Sequence, residues 1–415
     1  MSIISLFLYL LKFFLLMEEN ANLKIMKINL NNQRLRHKLI NKLLLGLFIF
    51  LIFIIFFYFV YYFKGNFKFN KLSQFEIEIQ STFYKTGKVN LNEIEFKNMN
   101  GRLFPFKKNI KSIIHIGFTL DPGYILKTMI TVSSIISTQY KTTKTVFHFG
   151  VVGNFTAKDM LKIYELRSKI KNSTEFNFYY LKESIEKMKY FHPNGVACPG
   201  KFELPELLPE NVNRLIIFDA GDVLVLRDLS NFFNYNMNNY WVLGTPEPSG
   251  LNIIKKYNLT KYINIGSILI DVKEAKKNKI WDTYVKNRHL IKNNYTKPDQ
   301  TLYNIIIPDN RKNFFPFKFG GLVPFENDKN SDNLNFVPYG YDKWFNSSLS
   351  NSLPEHPRNT IKYSAQIYNP VFIHQFSGKW HLGKGLSIFR NLAKYFIILS
   401  GIYDEICKKI PGYCQ

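Results

Sequence analysis

Apolar positions along this chain fall into two kinds of run. One, residues 43–63, is long and carries no charge; as a helix it would extend roughly 31 Å, the depth of a bilayer core. The other kind, found after residue 109, is short and alternates with stretches of helical period. Runs at 113–118, 145–152, 175–180 and 215–218 predict strands, and 124–138 predicts a helix after the turn Asp121-Pro122-Gly123. A second helix is expected from its cap at Thr156 to about Ile170. Strands alternating with helices predict an α/β fold, a Rossmann-like, mostly parallel sheet with right-handed crossovers and flanking helices. Farther on, 240–244, 267–271 and 371–374 read as strands, 272–288 as one charged amphipathic helix, and 327–357 as loop. A helical tail at 386–409, with Ile388, Phe389, Leu392, Phe396 and Ile397 on one side, is expected to pack on the domain.

The long apolar run is flanked by Arg34, Arg36, Lys38 and Lys42 before it and by Tyr58, Tyr61 and Tyr62 at its far end. Positive charge on the near side places the N-terminus in the cytosol and everything after Lys64 in the lumen or outside. The run is longer than a signal-peptide core and no small-residue cleavage site follows, so an uncleaved signal anchor is expected. An earlier apolar stretch, 1–17, is broken by Lys12 and makes a poor span, and Met17 and Met26 are alternative starts to Met1. The expected layout is a cytosolic tail at 1–42, one transmembrane helix at 43–63, a polar Lys- and Asn-rich stem at 64–108, a globular domain at 109–385 and a C-terminal helix within 386–415.

The formal net charge of +24 raises the question of nucleic acid. The lysines are spread singly among asparagines, and no basic block interleaved with aromatics follows the N-terminal tail, so nucleic acid is not an expected partner. Three cysteines, Cys198, Cys407 and Cys414, are too few for a disulfide framework; Cys407 with Cys414 is a possible pair that leaves Cys198 free. Glycosylation signals begin at Asn154, Asn172, Asn258, Asn294 and Asn346, all after the anchor. They agree with a Golgi or endoplasmic-reticulum membrane protein of single-pass type II topology.

Candidate chemistry concentrates where the strand at 215–218 ends in Asp219-Ala220-Gly221-Asp222. Carboxylates there would project into the crevice at which open α/β sheets bind ligands. Mn²⁺ or Mg²⁺ prefers such oxygen ligands and shares its coordination with substrate phosphates. Three residues apart, the two carboxylates would point to opposite faces of a regular strand. Gly221 can take backbone angles that other residues avoid, so a bulge or tight turn could bring both together; failing that, Asp222 is the ligand and Asp219 supports it. Asp228 is expected to cap a helix rather than bind metal, and His115 to be a core residue with its hydrogen bonds met.

Five segments in order resemble glycosyltransferase family 8, the glycogenin and lipopolysaccharide galactosyltransferase family: Leu204-Pro205-Glu206-Leu207-Leu208-Pro209; Phe218-Asp219-Ala220-Gly221-Asp222; Asn264-Ile265-Gly266-Ser267; Asp299-Gln300-Thr301-Leu302-Tyr303-Asn304; and His374-Gln375-Phe376-Ser377-Gly378-Lys379-Trp380. The resemblance spans about Lys111 to Gly385. It implies a GT-A fold, a nucleotide-diphosphate sugar donor, usually UDP-linked, Mn²⁺, and retention of anomeric configuration. It further implies metal ligation by Asp219, Asp222 and His374, and donor contacts from Lys379, Gly378 and Lys201. Thr119, Asp121 and Tyr124 would meet uracil and ribose. Asn264 and Gly266 would line the sugar side, with Asp299 and Gln300 beside the reacting centre. The acceptor is expected to be a glycan, glycoprotein or glycolipid. Three departures from the family pattern stand out: the aspartates are at i and i+3 instead of i and i+2, Lys201 replaces an Arg, and Gly378-Lys379-Trp380 is a shortened ending. They motivate the alternative of an inactive relative that binds nucleotide sugar or glycan without transfer.

Overall fold

The computed structural model describes residues 73–98, 110–169, 173–188, 197–247, 251–291, 297–316, 319–323, 371–375, 387–399 and 401–409. All belong to one compact unit, Leu72–Gln415. Among the described residues no helix is long and apolar enough to cross a membrane; the expected anchor at 43–63 lies outside them, as do Gly378 and Lys379.

Among the described residues, eleven strands form two sheets. They are β1 Lys88–Asn90, β2 Ser112–Leu120, β3 Thr143–Val151, β4 Thr174–Tyr180, β5 Arg214–Phe218, β6 Val223–Val225, β7 Val242–Pro246, β8 Ile263–Asp271, β9 Lys312–Phe314, β10 Gly320–Val323 and β11 Phe372–Gln375. The large sheet has the order β1-β4-β3-β2-β5-β8-β7-β9, and the small one β10-β11-β6. The predicted parallel order holds for β4, β3, β2 and β5. Beyond β5 the sheet is mixed, because β8 runs antiparallel to both β5 and β7. The strands alternate with helices up to β5, and the burial of β3, β5 and β8 on both faces produces their continuous apolar sequences.

Helices and termini depart from the sequence expectations in four places. Residues 74–98, within the expected stem, fold into the domain: Gln74–Thr86 is a helix with a Ser73–Glu76 capping box, it buries Ile79 and Phe83, and β1 pairs antiparallel with β4. Only a few apolar residues carry that packing, which is why the stretch reads as polar. The expected helix 272–288 is two, Val272–Lys277 and Ile280–Asn287, separated where Lys279 takes a left-handed φ of 48° and Asn278 turns its amide back onto the Glu274 carbonyl. The tail likewise divides into Ser387–Leu399 and Tyr403–Lys409 around Gly401, φ 66°. Its first helix packs on the helix Ile125–Thr138, as expected. The helix capped at Thr156 is interrupted at Glu165, giving Ala157–Tyr164 and Leu166–Lys169.

Candidate active site

Two strand registers assemble the site. Phe218 pairs with Ser267 across β5 and β8, and the Asp219 amide donates to the Gly266 carbonyl at 2.7 Å. His374 pairs with Val223 across β11 and β6, one residue beyond Asp222. Residues distant in sequence therefore meet at the end of β5, where β8 runs alongside and β6 begins against β11.

Between β5 and β6 the chain reverses in a tight turn. The Asp222 amide donates to the Asp219 carbonyl at 3.4 Å, and Gly221 lies at φ 87°, the left-handed value that the third position of a type II turn requires. Thr131, buried on the helix Ile125–Thr138, clamps this turn: its hydroxyl accepts from the Gly221 amide at 3.1 Å and donates to the Val223 carbonyl at 2.8 Å. A turn, rather than a bulged strand, is thus what the i, i+3 spacing encodes.

Asp219 is the hub. One carboxylate oxygen is ion-paired with the Lys201 ammonium, and the other lies 3.6 Å from His374 Nε2. Burial opposes charge on Asp219, but Lys201 and His374 outweigh it and hold its pKa below the usual carboxylate value. Burial likewise opposes charge on Lys201, and the carboxylates of Asp219 and Asp299 overcome it and raise its pKa. Burial lowers His374 to a pKa of about 4, against the pull of Asp219. The imidazole is therefore neutral at physiological pH, the form that binds metal. Its Nδ1 is buried with no hydrogen-bond partner. Gly266 sits against both groups, where a Cβ would collide with Asp219 Oδ2 and His374 Cε1.

These features fit a hard divalent ion with Asp219 and His374 as protein ligands, since such ions commonly take one or two side chains and complete their shell with substrate phosphates and water. The expected three-residue set is not assembled: among the described residues no group of three His, Cys, Asp or Glu is arranged to hold a metal ion. Asp222 follows Asp219 across the turn, with its amide on the Asp219 carbonyl. Both aspartates nonetheless act on the Tyr124 hydroxyl, whose pKa is raised first by burial and then by Asp222, Cys198, Asp121 and Asp219.

On the expected nucleotide side, Thr119 is the next-to-last residue of β2, with its hydroxyl buried and unpartnered. Asp121 accepts from the Gly123 amide at 2.7 Å, so it forms the predicted turn while its charge still reaches Tyr124. Tyr124 is 39% exposed, with the Lys127 ammonium 4.3 Å from its ring centroid.

On the expected sugar side, the helix Pro298–Ile306 lies along β8. Gln300 and Asn304, one helical turn apart, present their carbonyl oxygens to the Ile265 and Ile263 amides at 3.3 and 2.8 Å. The Asp-Gln segment thus serves first to complete the hydrogen bonding of β8. Gln300 Nε2 is left buried and without a partner, a donor available to a bound sugar. Asp299 is 7% exposed, and its charge acts on Lys201, Asp219 and Cys198. Asn264 donates to Glu247 at 2.9 Å and accepts from the Gly266 amide at 2.8 Å.

Asp228 receives hydrogen bonds from the amides of Ser230 and Tyr140 and the hydroxyl of Thr143, a structural clasp rather than a ligand. His115 is satisfied by His148 at 2.9 Å, and His148 in turn by Tyr179 at 3.1 Å. Cys407 is disulfide-bonded and Cys198 is a free thiol.

Three site residues carried no functional assignment from sequence. Glu247, fully buried at the end of β7, is ion-paired with Lys297 at 2.9 Å. A carboxylate closing an apolar strand is the same signal that exposed Asp219, and it could have pointed to Glu247. Cys198 precedes the helix Gly200–Leu207 and feels the charges of Asp299, Lys201, Asp219 and Asp121. Nothing in its neighbouring sequence announces that position.

Comparison with known proteins agrees with this architecture. The sequence profile described as Glycosyl transferase family 8 matches residues 115–366, more than half of the chain, and ends before His374. A probable galacturonosyltransferase-like 10 of Arabidopsis thaliana is 27% identical over 151 residues, 35% of this chain and 40% of that protein. The solved galactosyltransferase LgtC, in complex with donor and acceptor sugar analogs, superposes with a TM-score of 0.50 at 15% identity over 69% of this chain and 95% of its own. The bifunctional glycosyltransferase WbbM does so with a TM-score of 0.53 at 17% identity, over 74% and 53%. At these identities the structural likeness is one of fold, an α/β GT-A-like architecture.

Proposed function

Because the chain belongs to glycosyltransferase family 8, we propose that it is a retaining transferase moving a hexosyl or pentosyl group from a UDP-linked sugar to a glycan, glycoprotein or glycolipid. The observation that carries this reading is the convergence of Lys201, Asp219, His374 and Asp299, with Gln300 on the adjoining helix, at the edge where β5 ends. Lys201 places a buried cation beside the carboxylates, Gln300 offers an unpartnered N–H donor, and the neutral His374 faces Asp219. Asp219 and His374 would hold Mn²⁺ or Mg²⁺, which supplies Lewis-acid stabilisation of the departing diphosphate when bound. Lys379 is proposed to add positive charge to the same group and Gly378 to allow its close approach. Tyr124 and Thr119 would receive the base and ribose. No side chain is assigned as a dedicated base, and the leaving phosphate can itself take the acceptor proton.

The proposed setting is the Golgi or endoplasmic-reticulum membrane, with residues 43–63 as a type II anchor and the domain lumenal. The exposed sequons at Asn154 and Asn258 and the disulfide-bonded Cys407 support it. A glycosidase-sensitive mass shift in microsomes checks it, and full protease sensitivity of the domain in sealed microsomes would count against it.

A second reading, an inactive nucleotide-sugar binder, draws on one observation: Lys201 occupies an oxygen of Asp219. UDP release by the detergent-solubilised full chain separates the two. UDP-galacturonic acid heads the donor panel because of the Arabidopsis relative's description. Release that depends on Mn²⁺ and is lost in His374→Ala supports transfer; binding of donor without release, across a panel of acceptors, supports the second reading.

A further inference from the structure

Just beyond β7 lies a buried ion pair outside the expected site residues. Glu247 has a fully buried side chain, and its carboxylate meets the Lys297 ammonium at 2.9 Å. The same oxygen, Oε2, accepts from Asn264 Nδ2 at 2.9 Å. Asn264 then uses its own carbonyl to hold the Gly266 amide at 2.8 Å, and Gly266 is the residue packed against Asp219 and His374. One chain of contacts therefore runs from Lys297 through Glu247 and Asn264 to the floor beneath the candidate metal ligands. Lys297 itself immediately precedes the helix bearing Asp299 and Gln300.

We propose that Lys297 is a positioning residue for the transfer reaction: its ammonium keeps Glu247 in place as a buried carboxylate, which orients Asn264 and fixes Gly266 under the Asp219–His374 pair. A fully buried carboxylate is costly to keep charged, and losing the ammonium 2.9 Å away favours its taking up a proton or shifting from its site. Either change alters the oxygen that Asn264 uses. Lys297, with its side chain 32% exposed, is placed to supply the opposite charge from the cleft edge without being buried itself. Its effect on transfer runs through Glu247, so the two residues should act as one unit. This inference rests on the transferase reading, and its test includes a measurement that does not.

The test is a double-mutant cycle on the full chain, Lys297→Met and Glu247→Gln singly and together, with Lys297→Arg as the conservative variant. In UDP release, K297M should lower kcat/KM about 10- to 100-fold, the range typical for partners that orient ligand-bearing groups, while UDP affinity stays within about 3-fold by the same reasoning. K297R should recover most of the loss. In the E247Q background, where no charge needs countering, K297M should change kcat/KM by less than about 3-fold. Thermal melting should show the same coupling: K297M lowers the midpoint in the parent and leaves it nearly unchanged in E247Q. Wild-type kcat/KM in K297M, or additive losses in the double variant, would overturn the proposal. If the parent releases no UDP from any donor, the transferase reading fails instead, and additive melting shifts would still overturn the pairing.

Discussion

Replacing Gly266 with alanine adds a single methyl group where two candidate metal ligands meet. The added Cβ would stand 3.0 Å from Asp219 Cγ, and nearer still to Asp219 Oδ2 and His374 Cε1, whereas ordinary contact begins at 3.4 Å. The backbone has little room to yield, because the Gly266 carbonyl accepts from Asp219 and its amide donates to Asn264. Asp219 and His374 must then part by roughly 1 Å, a displacement that can reduce rate about 100-fold where geometry is tight. Overpacking a well-filled site costs about 1–3 kcal/mol. The expected result is a folded protein with a modestly lower melting temperature, a large loss of Mn²⁺-dependent UDP release and weaker Mn²⁺ binding by calorimetry. Wild-type metal affinity and turnover in Gly266→Ala would refute the argument that Asp219 and His374 must remain in contact with this glycine.

Gly221→Ala should destabilise the domain by about 1–3 kcal/mol, since it combines a left-handed backbone with a clash against Lys127 on the helix Ile125–Thr138; a melting curve matching the parent would remove the turn's requirement for glycine. Lys201→Met should cost about 1–3 kcal/mol, less than a fully buried pair because Asp219 is partly exposed, and urea titration of the purified chain reads it. Burial lowers the His115 pKa to about 4, below the ordinary 6.5. The unfolded chain therefore binds a proton that the folded chain does not, and His115's contribution to stability, complete above pH 6.5, should be lost as pH falls toward 4. Chemical denaturation across that range should show a shallower decline in His115→Gln, and an unchanged slope would contradict the assignment.

Local pattern carried much of the architecture. The apolar runs that became β3 and β5 are buried on both faces, which makes a strand visible as a continuous apolar segment, whereas β4 was visible through its alternation of buried and half-buried positions. Asp219 and Gln300 were legible because they close or begin elements whose periods are clear. The segment 74–98 was hidden because a short strand on the sheet's edge and a helix with few buried residues leave a polar average. The break at Lys279 was equally hidden, since a lysine in a left-handed turn looks like any other in a charged helix. Cys198 gave no signal at all, because its importance comes from Asp299, Asp219 and Asp121 gathering around it.

Sequence by itself determined the α/β class, the family resemblance, and the residue types at the end of β5, because alternation, turn glycines and ordered motifs are local properties of the chain. Only the tertiary structure decided which of those residues meet. The register of β11 on β6 brings His374 next to the turn, the register of β5 on β8 lays Gly266 beneath Asp219, and the turn at Gly221 sets Asp222 at the entry to β6. Such choices depend on hydrogen bonds between strands remote in sequence, where a shift of one residue would send every side chain to the other face.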